Sequence, residues 1–246
     1  MLRGWYTSPV PEIGLDGATH WFGFACMLGA DRARVVLSIS DPAEVPAALA
    51  GTREACAASS FMIMVDDRDR AARLDAALRE HGCSYAESTT YLALTGPMVS
   101  PAPGPDSLQM TSIGITDLET WARVKLQSFD DTENDPAAEE IAAEVARRRA
   151  ELPLAEYQLG LLDGEPVAVL AHYPGADDLV FILGTRLPYR HRGIAQSMLA
   201  RWATATASSR SLIINATDGG APEALYRRLG FTDEVYWYSK YEFNPF

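Results

Sequence analysis

The chain has 246 residues, 48% of them hydrophobic, and its 21 basic against 33 acidic side chains leave a net charge of −12. That balance disfavours nucleic acid, itself a polyanion, and draws in cationic ligands. No apolar run reaches membrane-spanning length, the first six residues lack the order of a signal peptide, and Cys26, Cys56 and Cys83 show no C-x-x-C spacing; the expectation is a soluble, cytoplasmic protein with no membrane attachment, disulfide framework or metal site.

From the start, Trp5, Tyr6, Trp21, Phe22 and Phe24 promise buried aromatic surface, and residues 34–39 read as a strand. Asp41-Pro42 predicts a helix start, with Asp41 as N-cap and Pro42 at the first helical position, and the Ala-rich stretch to about Ala58 continues it. Phe61–Val65 is a second short strand. An amphipathic helix from Asp66 to His81 follows and stops at Gly82, and Tyr85 to Leu94 suits a further strand. The stretch 96–105 then carries four prolines, which cannot supply helix or ladder hydrogen bonds regularly. It predicts a linker over 96–106 between a domain at 1–95 and another at 107–246.

In the second domain, Leu108–Ile115 reads as a strand. Thr116 and Glu119 have the spacing of a capping box for a helix running to about Phe129. An acidic turn, Asp130 to Pro136, leads into a second helix to about Leu152, with Asp135-Pro136 as its expected cap. Tyr157–Leu162 and Pro166–His172 form a hairpin signalled by Asp163-Gly164. The apolar run Leu179–Leu183 is a buried strand, expected to break at Gly184. After Leu187-Pro188-Tyr189 a helix begins, with Ile194, Met198, Leu199 and Trp202 along one face. Leu212–Asn215 is the next strand, Pro222 opens a helix bearing Tyr226, and the closing strands lie in 235–243. The fold class is therefore α/β with a mixed sheet.

Strand, basic turn, helix is an anion-binding arrangement. The first N–H groups of a helix lack intrahelical partners, and Gly193 and Ala195 leave room for a pyrophosphate to approach the main chain. Arg190-x-x-Gly193-x-Ala195 resembles the acetyl-CoA pyrophosphate motif of the GCN5-related N-acetyltransferases, the GNAT family. About thirty residues on, Ala224-Leu225-Tyr226-Arg227-Arg228-Leu229-Gly230-Phe231 is similar to that family's late motif. The resemblance covers roughly residues 107–246. The first half reads as a worn copy, since Leu78 to Cys83 matches the helix-Gly-strand pattern of Tyr226 to Phe231, yet Leu78 replaces the tyrosine and no R-x-x-G-x-A stretch precedes residue 100. Such a copy would be non-catalytic and would shape the acceptor cleft.

The resemblance implies acetyl-CoA as co-substrate, with Leu183, Gly184 and Thr185 along its pantetheine arm and Arg190, His191, Arg192, Gly193, Ile194 and Ala195 around its pyrophosphate. It implies two strands that splay beside the arm and leave N–H groups free for the thioester carbonyl. It makes Tyr226 the acid that protonates the leaving thiolate. Two departures stand out. Leu179–Leu183 holds no carboxylate to act as base, with only Asp177, Asp178 and His172 nearby; and Gly219 and Pro222 replace the Asn and Ala that many members carry before the tyrosine, with Asn215 or Asp218 as stand-ins for the polar contact. The acidic turn, with Asp130, Asp131 and Glu133, lies where the family places its acceptor loop. Together with 13 basic against 21 acidic residues after position 105, it favours a small cationic amine as acceptor. The expected protein is an N-acetyltransferase, monomeric or homodimeric. The alternatives are a non-catalytic CoA-binding sensor or interaction module, and an acyltransferase for a longer acyl-CoA or a protein N-terminus.

Overall fold

The computed structural model describes residues 19–21, 33–37, 39–56, 61–94, 96–99, 104–130, 134–152, 154–174, 178–206 and 211–243. Trp5, Tyr6, Phe22 and Phe24, expected to be core, lie outside them. The first half runs β1 (Thr19–Trp21), β2 (Ala33–Leu37), α1 (Val45–Cys56), β3 (Phe61–Val65), α2 (Arg68–Glu80), β4 (Cys83–Leu94). Then come β5 (Leu108–Ser112), α3 (Leu118–Phe129), α4 (Ala138–Glu151), β6 (Glu156–Leu162), β7 (Glu165–Tyr173) and β8 (Asp178–Thr185). The chain closes with α5 (Ile194–Thr206), β9 (Leu212–Thr217), α6 (Ala221–Arg228) and β10 (Phe231–Phe243).

Two compact units result, and no single cut separates them. Met1–Tyr91, Ala216–Glu223 and Glu234–Phe246 make up the first; Leu92–Asn215 and Ala224–Asp233 make up the second. The last strand of the chain belongs with the first half because Ser239 to Phe243 of β10 pair antiparallel with Val65 to Phe61 of β3. The proline-rich stretch belongs to the second unit, which takes in the whole run from Leu92 to Asn215.

In the first unit the strand order is β1-β2-β3-β10-β4, with β2 and β3 parallel and α1 as their crossover. Its core joins Leu37, Val45, Leu49, Ile63, Leu74, Leu78, Trp237 and Phe243. Helix starts follow local chemistry. Asp41 accepts the Ala43 N–H at 2.9 Å and Asp67 accepts the Arg70 N–H at 2.7 Å, each removing an orphan donor. Helix α2 ends before Gly82, whose φ of 86° suits a residue without a Cβ.

In the second unit the order is β9-β8-β7-β6-β5, antiparallel except for the parallel β8–β9 pair. The Asp163-Gly164 turn has φ values of 53° and 87°, the pattern that matches the twist of a two-residue hairpin. Trp121 and Val124 of α3 pack on Tyr157, Leu159, Val169 and Ile182. On α5 the buried side chains include Ile194, Met198, Leu199 and Trp202, the expected face.

Two expected caps are corrected. The Thr116–Glu119 capping box does not form: Ile115–Asp117 is a short 3-10 turn, Thr116 donates to Asp117, and Glu119 meets Arg123 instead. The stronger guanidinium partner takes the carboxylate. Nor does Asp135 cap α4. It pairs with Arg123, and Glu140 accepts the Ala137 N–H at 3.0 Å in its place.

Candidate active site

The site lies wholly in the second unit and starts from the way β8 pairs. On one edge it pairs with β7 from Leu179 to Thr185. On the other it pairs with β9 only at Asp178–Leu212, Leu179–Ile213 and Val180–Ile214. Beyond Val180 the strand continues for five residues with no β9 partner, so on that edge the ladder does not supply the main-chain hydrogen bonds. A bulge coincides with the parting. Val180 pairs with His172 and Ile182 with Ala171, which leaves Phe181 unmatched, and such an extra residue bends and twists its strand. Phe181 is held there by Tyr173, stacked at 4.2 Å, and by the Arg148 guanidinium at 5.9 Å. On β9, Asn215 is the first residue past the last pair and is half-buried.

Contrary to expectation, β8 does not break at Gly184 but runs on to Thr185. The glycine serves packing instead. A Cβ there would stand 2.8 Å from Ser128 Cβ and 2.9 Å from Phe129 Cε2, so the C-terminal end of α3 rests directly on the strand. Asp130, exposed, is the next residue of the chain. Asp131 and Glu133 lie outside the described residues, as does Asp177. Leu183 and Thr185 are half-buried, and the Thr185 Oγ1 is buried with no hydrogen-bond partner.

The helix does not begin directly after Tyr189 either. Leu187–Tyr189 forms a 3-10 turn, residues 190–193 form a loop, and α5 starts at Ile194. In that loop His191 has φ 62° and Gly193 φ 75°. A left-handed histidine costs about 1 kcal/mol, and alternating backbone hands make successive N–H groups converge on a concavity that suits an anion. The first intrahelical bond runs from the Ser197 N–H to the Gly193 carbonyl at 3.0 Å, so the N–H groups of Ile194, Ala195 and Gln196 precede the ladder.

The two arginines, both expected beside a ligand's phosphates, stand in different surroundings. Arg190 Nε donates to the Thr185 carbonyl at 3.2 Å and Nη2 donates to the Ser128 carbonyl at 2.8 Å. It lashes the turn to the end of β8 and the end of α3. Arg192 is exposed, donates to Pro188 at 3.1 Å and lies 5.3 Å from the Tyr189 ring, leaving its charge at the surface of the turn.

Tyr226 sits on α6, 5% exposed, its ring edge-on to Phe231 at 6.4 Å. Burial pushes the phenol far above its usual range, so it holds its proton at any physiological pH. The remaining polar candidates are placed otherwise. His172 pairs opposite Val180, five residues and about 17 Å of strand before Thr185; it is buried beside Trp202, with Nε2 3.4 Å from Glu156 and Nδ1 unpartnered. Asp178 is buried at the same far end of β8. Asp218, in the first unit, accepts from Arg68 at 2.7 and 3.1 Å, Thr90 at 2.8 Å and Trp237 at 3.0 Å. With its carboxylate engaged on every side it is no stand-in for an arm contact.

Two recesses lie elsewhere. One of about 910 Å³ is lined by Ile115, Arg123, Ile141, Val145 and Arg149 of α3, α4 and the turn before them. Another of about 270 Å³ in the first unit is lined by Arg68, Asp75, Tyr85, Trp237 and Tyr241. None of the expected site residues lines either. Among the described residues no group of three or more His, Cys, Asp or Glu is arranged to hold a metal ion, and no helix is long and apolar enough to cross a membrane. Sequence reasoning missed the Phe181 bulge, the orphaned Thr185 hydroxyl and the bracing role of Arg190. A run of five apolar residues carries no alternation from which a bulge could be read.

No protein-family model matches the sequence, and no curated protein does. Solved structures do match. A functionally unknown conserved protein from Staphylococcus epidermidis ATCC 12228 aligns over 100% of this chain and 98% of its own, with a TM-score of 0.73 at 10% identity. A GCN5-related N-acetyltransferase from Kribbella flavida aligns over 87% of this chain and 82% of its own, with a TM-score of 0.57 at 21% identity. A tandem GNAT protein from the clavulanic acid biosynthesis pathway covers 87% of this chain and 75% of its own, with a TM-score of 0.57 at 16% identity. The fold is that of the GCN5-related N-acetyltransferases, in a two-domain form.

Proposed function

We propose that the chain is an acetyl-CoA-dependent N-acetyltransferase acting on the amine of a small, cationic acceptor. One observation carries the reading: β8 parts from β9 after Val180 and Ile214, and the freed strand leads into a left-handed turn beside two arginines. The residues fit a thioester that ends in a diphosphate. The Thr185 hydroxyl is buried without a protein partner, the edge of β8 past Val180 has no β9 pairing, and the loop at 190–196 offers converging N–H groups with Arg192 at its rim.

Acetyl-CoA, when bound, supplies the carbonyl carbon that an amine attacks. Main-chain N–H groups at 181–185 are fixed before reaction by β7 on the other edge, so they can stabilise charge on an oxygen with little reorganisation. The end of α3, seated on Gly184, brings Asp130 to the same end of β8, where a carboxylate favours a cationic acceptor. An alkylamine with pKa near 10.4 pays roughly 4 kcal/mol to be neutral at pH 7, and a water-poor cleft offsets part of that. Tyr226 holds a proton for the leaving sulfur.

The burial of Tyr226 favours a second reading, a CoA-binding module without turnover. A thiol-release assay over polyamines, aminoglycosides, amino acids and peptides, run beside calorimetry with acetyl-CoA, separates the two. Turnover with one amine class supports the enzyme. Binding with no turnover favours the module, and no binding overturns both.

A further inference from the structure

The stretch expected to be a free linker touches both helices that carry the site. Within the second unit the Val99 N–H donates to the Leu229 carbonyl at the end of α6 at 3.0 Å. Gly230, with φ 103°, faces the same segment: a Cβ there would lie 3.6 Å from the Pro97 carbonyl oxygen and 3.6 Å from the Val99 nitrogen. Five residues on, Gly104 lies against the first turn of α5. A Cβ on Gly104 would stand 2.0 Å from Ser197 Oγ, 2.9 Å from Ser197 Cβ and 3.3 Å from the Gly193 carbonyl oxygen. Just beyond, Arg201 of α5 donates to the Leu108 carbonyl at 2.6 Å.

From these contacts we propose a brace, anchored by Pro97 and Val99 at the end of α6 and by Gly104 at the first turn of α5, that positions the phosphate-binding turn relative to the tyrosine-bearing helix, with Gly104 as its critical residue. The inference rests on the acyl-CoA reading for its function, though not for its structural part. Two physical facts support it. The covalent chain from Val99 to Gly104 spans at most about 17 Å, which caps the distance between the end of α6 and the start of α5. And the contact at Gly104 is with a side chain rooted in the helix: Ser197 Cβ cannot swing away, so a larger residue must shift the first turn of α5 itself. Gly193 belongs to that turn, and its N–H neighbours are the proposed anion donors. A shift of about 1 Å in donors of this kind is enough to matter for catalysis and binding.

The test compares wild type, Gly104→Ala and the double variant Gly104→Ala with Ser197→Gly, in the full chain. Hydrogen exchange across 190–200 is read first, because it needs no ligand. The brace predicts faster exchange there in Gly104→Ala, with the far strands β5 to β7 unchanged, and a return toward wild type when Ser197 is removed. Calorimetry with CoA then reads function: affinity falls about tenfold in Gly104→Ala and recovers in the double variant, while a residual activity shows the loss mainly in KM for the donor. Unchanged exchange at 190–200 in Gly104→Ala overturns the brace whatever CoA does. Wild type that binds no CoA overturns the acyl-CoA reading alone, and the exchange data still decide the brace. Faster exchange that Ser197→Gly does not relieve also overturns it, since the shift would then not arise at this contact.

Discussion

The molecule contains the same motif twice, once closed and once open. Strands β2 and β3 run parallel around α1, and β8 and β9 run parallel around α5. In the first unit the pairing continues from Ala33–Phe61 to Val36–Met64, one residue short of both strand ends. In the second it stops after three pairs while β8 runs on. The turns differ as much. The first passes through Asp41, Pro42 and Glu44: the Asp41 carboxylate already occupies the Ala43 N–H, Pro42 has none, and Glu44 adds charge that repels an anion. The second has no acid in its first turn, with His191 and Gly193 in the left-handed region and Arg192 beside them. A common topology thus leaves the chemistry undecided. A few residues at the turn, and where two strands separate, decide it.

Placing the first unit's chemistry in the second should give the largest effect. Gly193→Asp combines a strained positive φ with a carboxylate at the anion site, together about 3 kcal/mol, so CoA affinity should fall roughly 150-fold by calorimetry with the fold retained. Affinity within threefold of wild type would remove the turn from the site. Next, Tyr226→Phe should lower kcat about 100-fold while leaving CoA affinity alone, because it deletes a proton donor and little packing. An unchanged kcat would assign α6 to structure.

Smaller effects separate the units by their response to acid. Neighbouring Arg68, with help from Trp237 and Thr90, holds Asp218 down to about 2 despite partial burial. A depressed carboxylate contributes stability above its unfolded pKa of about 3.8, and that contribution is lost as pH falls from there toward 2. Asp218→Asn should therefore cost about 2 kcal/mol near pH 7 in urea unfolding and nothing near pH 2, without changing CoA affinity. A cost that persists at pH 2 would contradict the assignment. His172 in the second unit titrates earlier. Burial lowers its pKa, opposed by the nearby Glu156 and Asp178 carboxylates. The neutral form is the folded one, so its stabilisation is complete above about pH 6.5 and declines as pH drops below that value. Thermal melts between pH 7.5 and 5.5 should show the loss, and His172→Gln should flatten it; an identical slope in the variant would exclude this residue as the source.

Local rules carried much of the element map. The Asp41 cap, the stop at Gly82, the Asp163-Gly164 hairpin and the α5 stripe follow from side chains within a turn or two of the backbone they satisfy. Where a distant partner competes, the local rule fails. Glu119 and Asp135 both turn to Arg123, and Gly184 stays in its strand because α3 lies on it. The candidate site divides the same way: Arg190 and Gly193 are visible as a motif, yet only packing shows that Arg190 holds Ser128 and Thr185 while Arg192 faces outward.

By itself, then, the sequence indicated most of the strands and helices, though not β1, and it showed that a glycine and two arginines stand between a strand and a helix. Those follow from periodicity and from bonds that close within a few residues. The tertiary structure alone decided that β8 bulges at Phe181 and leaves β9, that β10 returns to β3, and that Pro97 and Val99 lie at the end of α6 and Gly104 on α5. Each of these depends on pairing or contact between segments far apart in the chain, and no run of neighbouring side chains encodes a partner it does not touch.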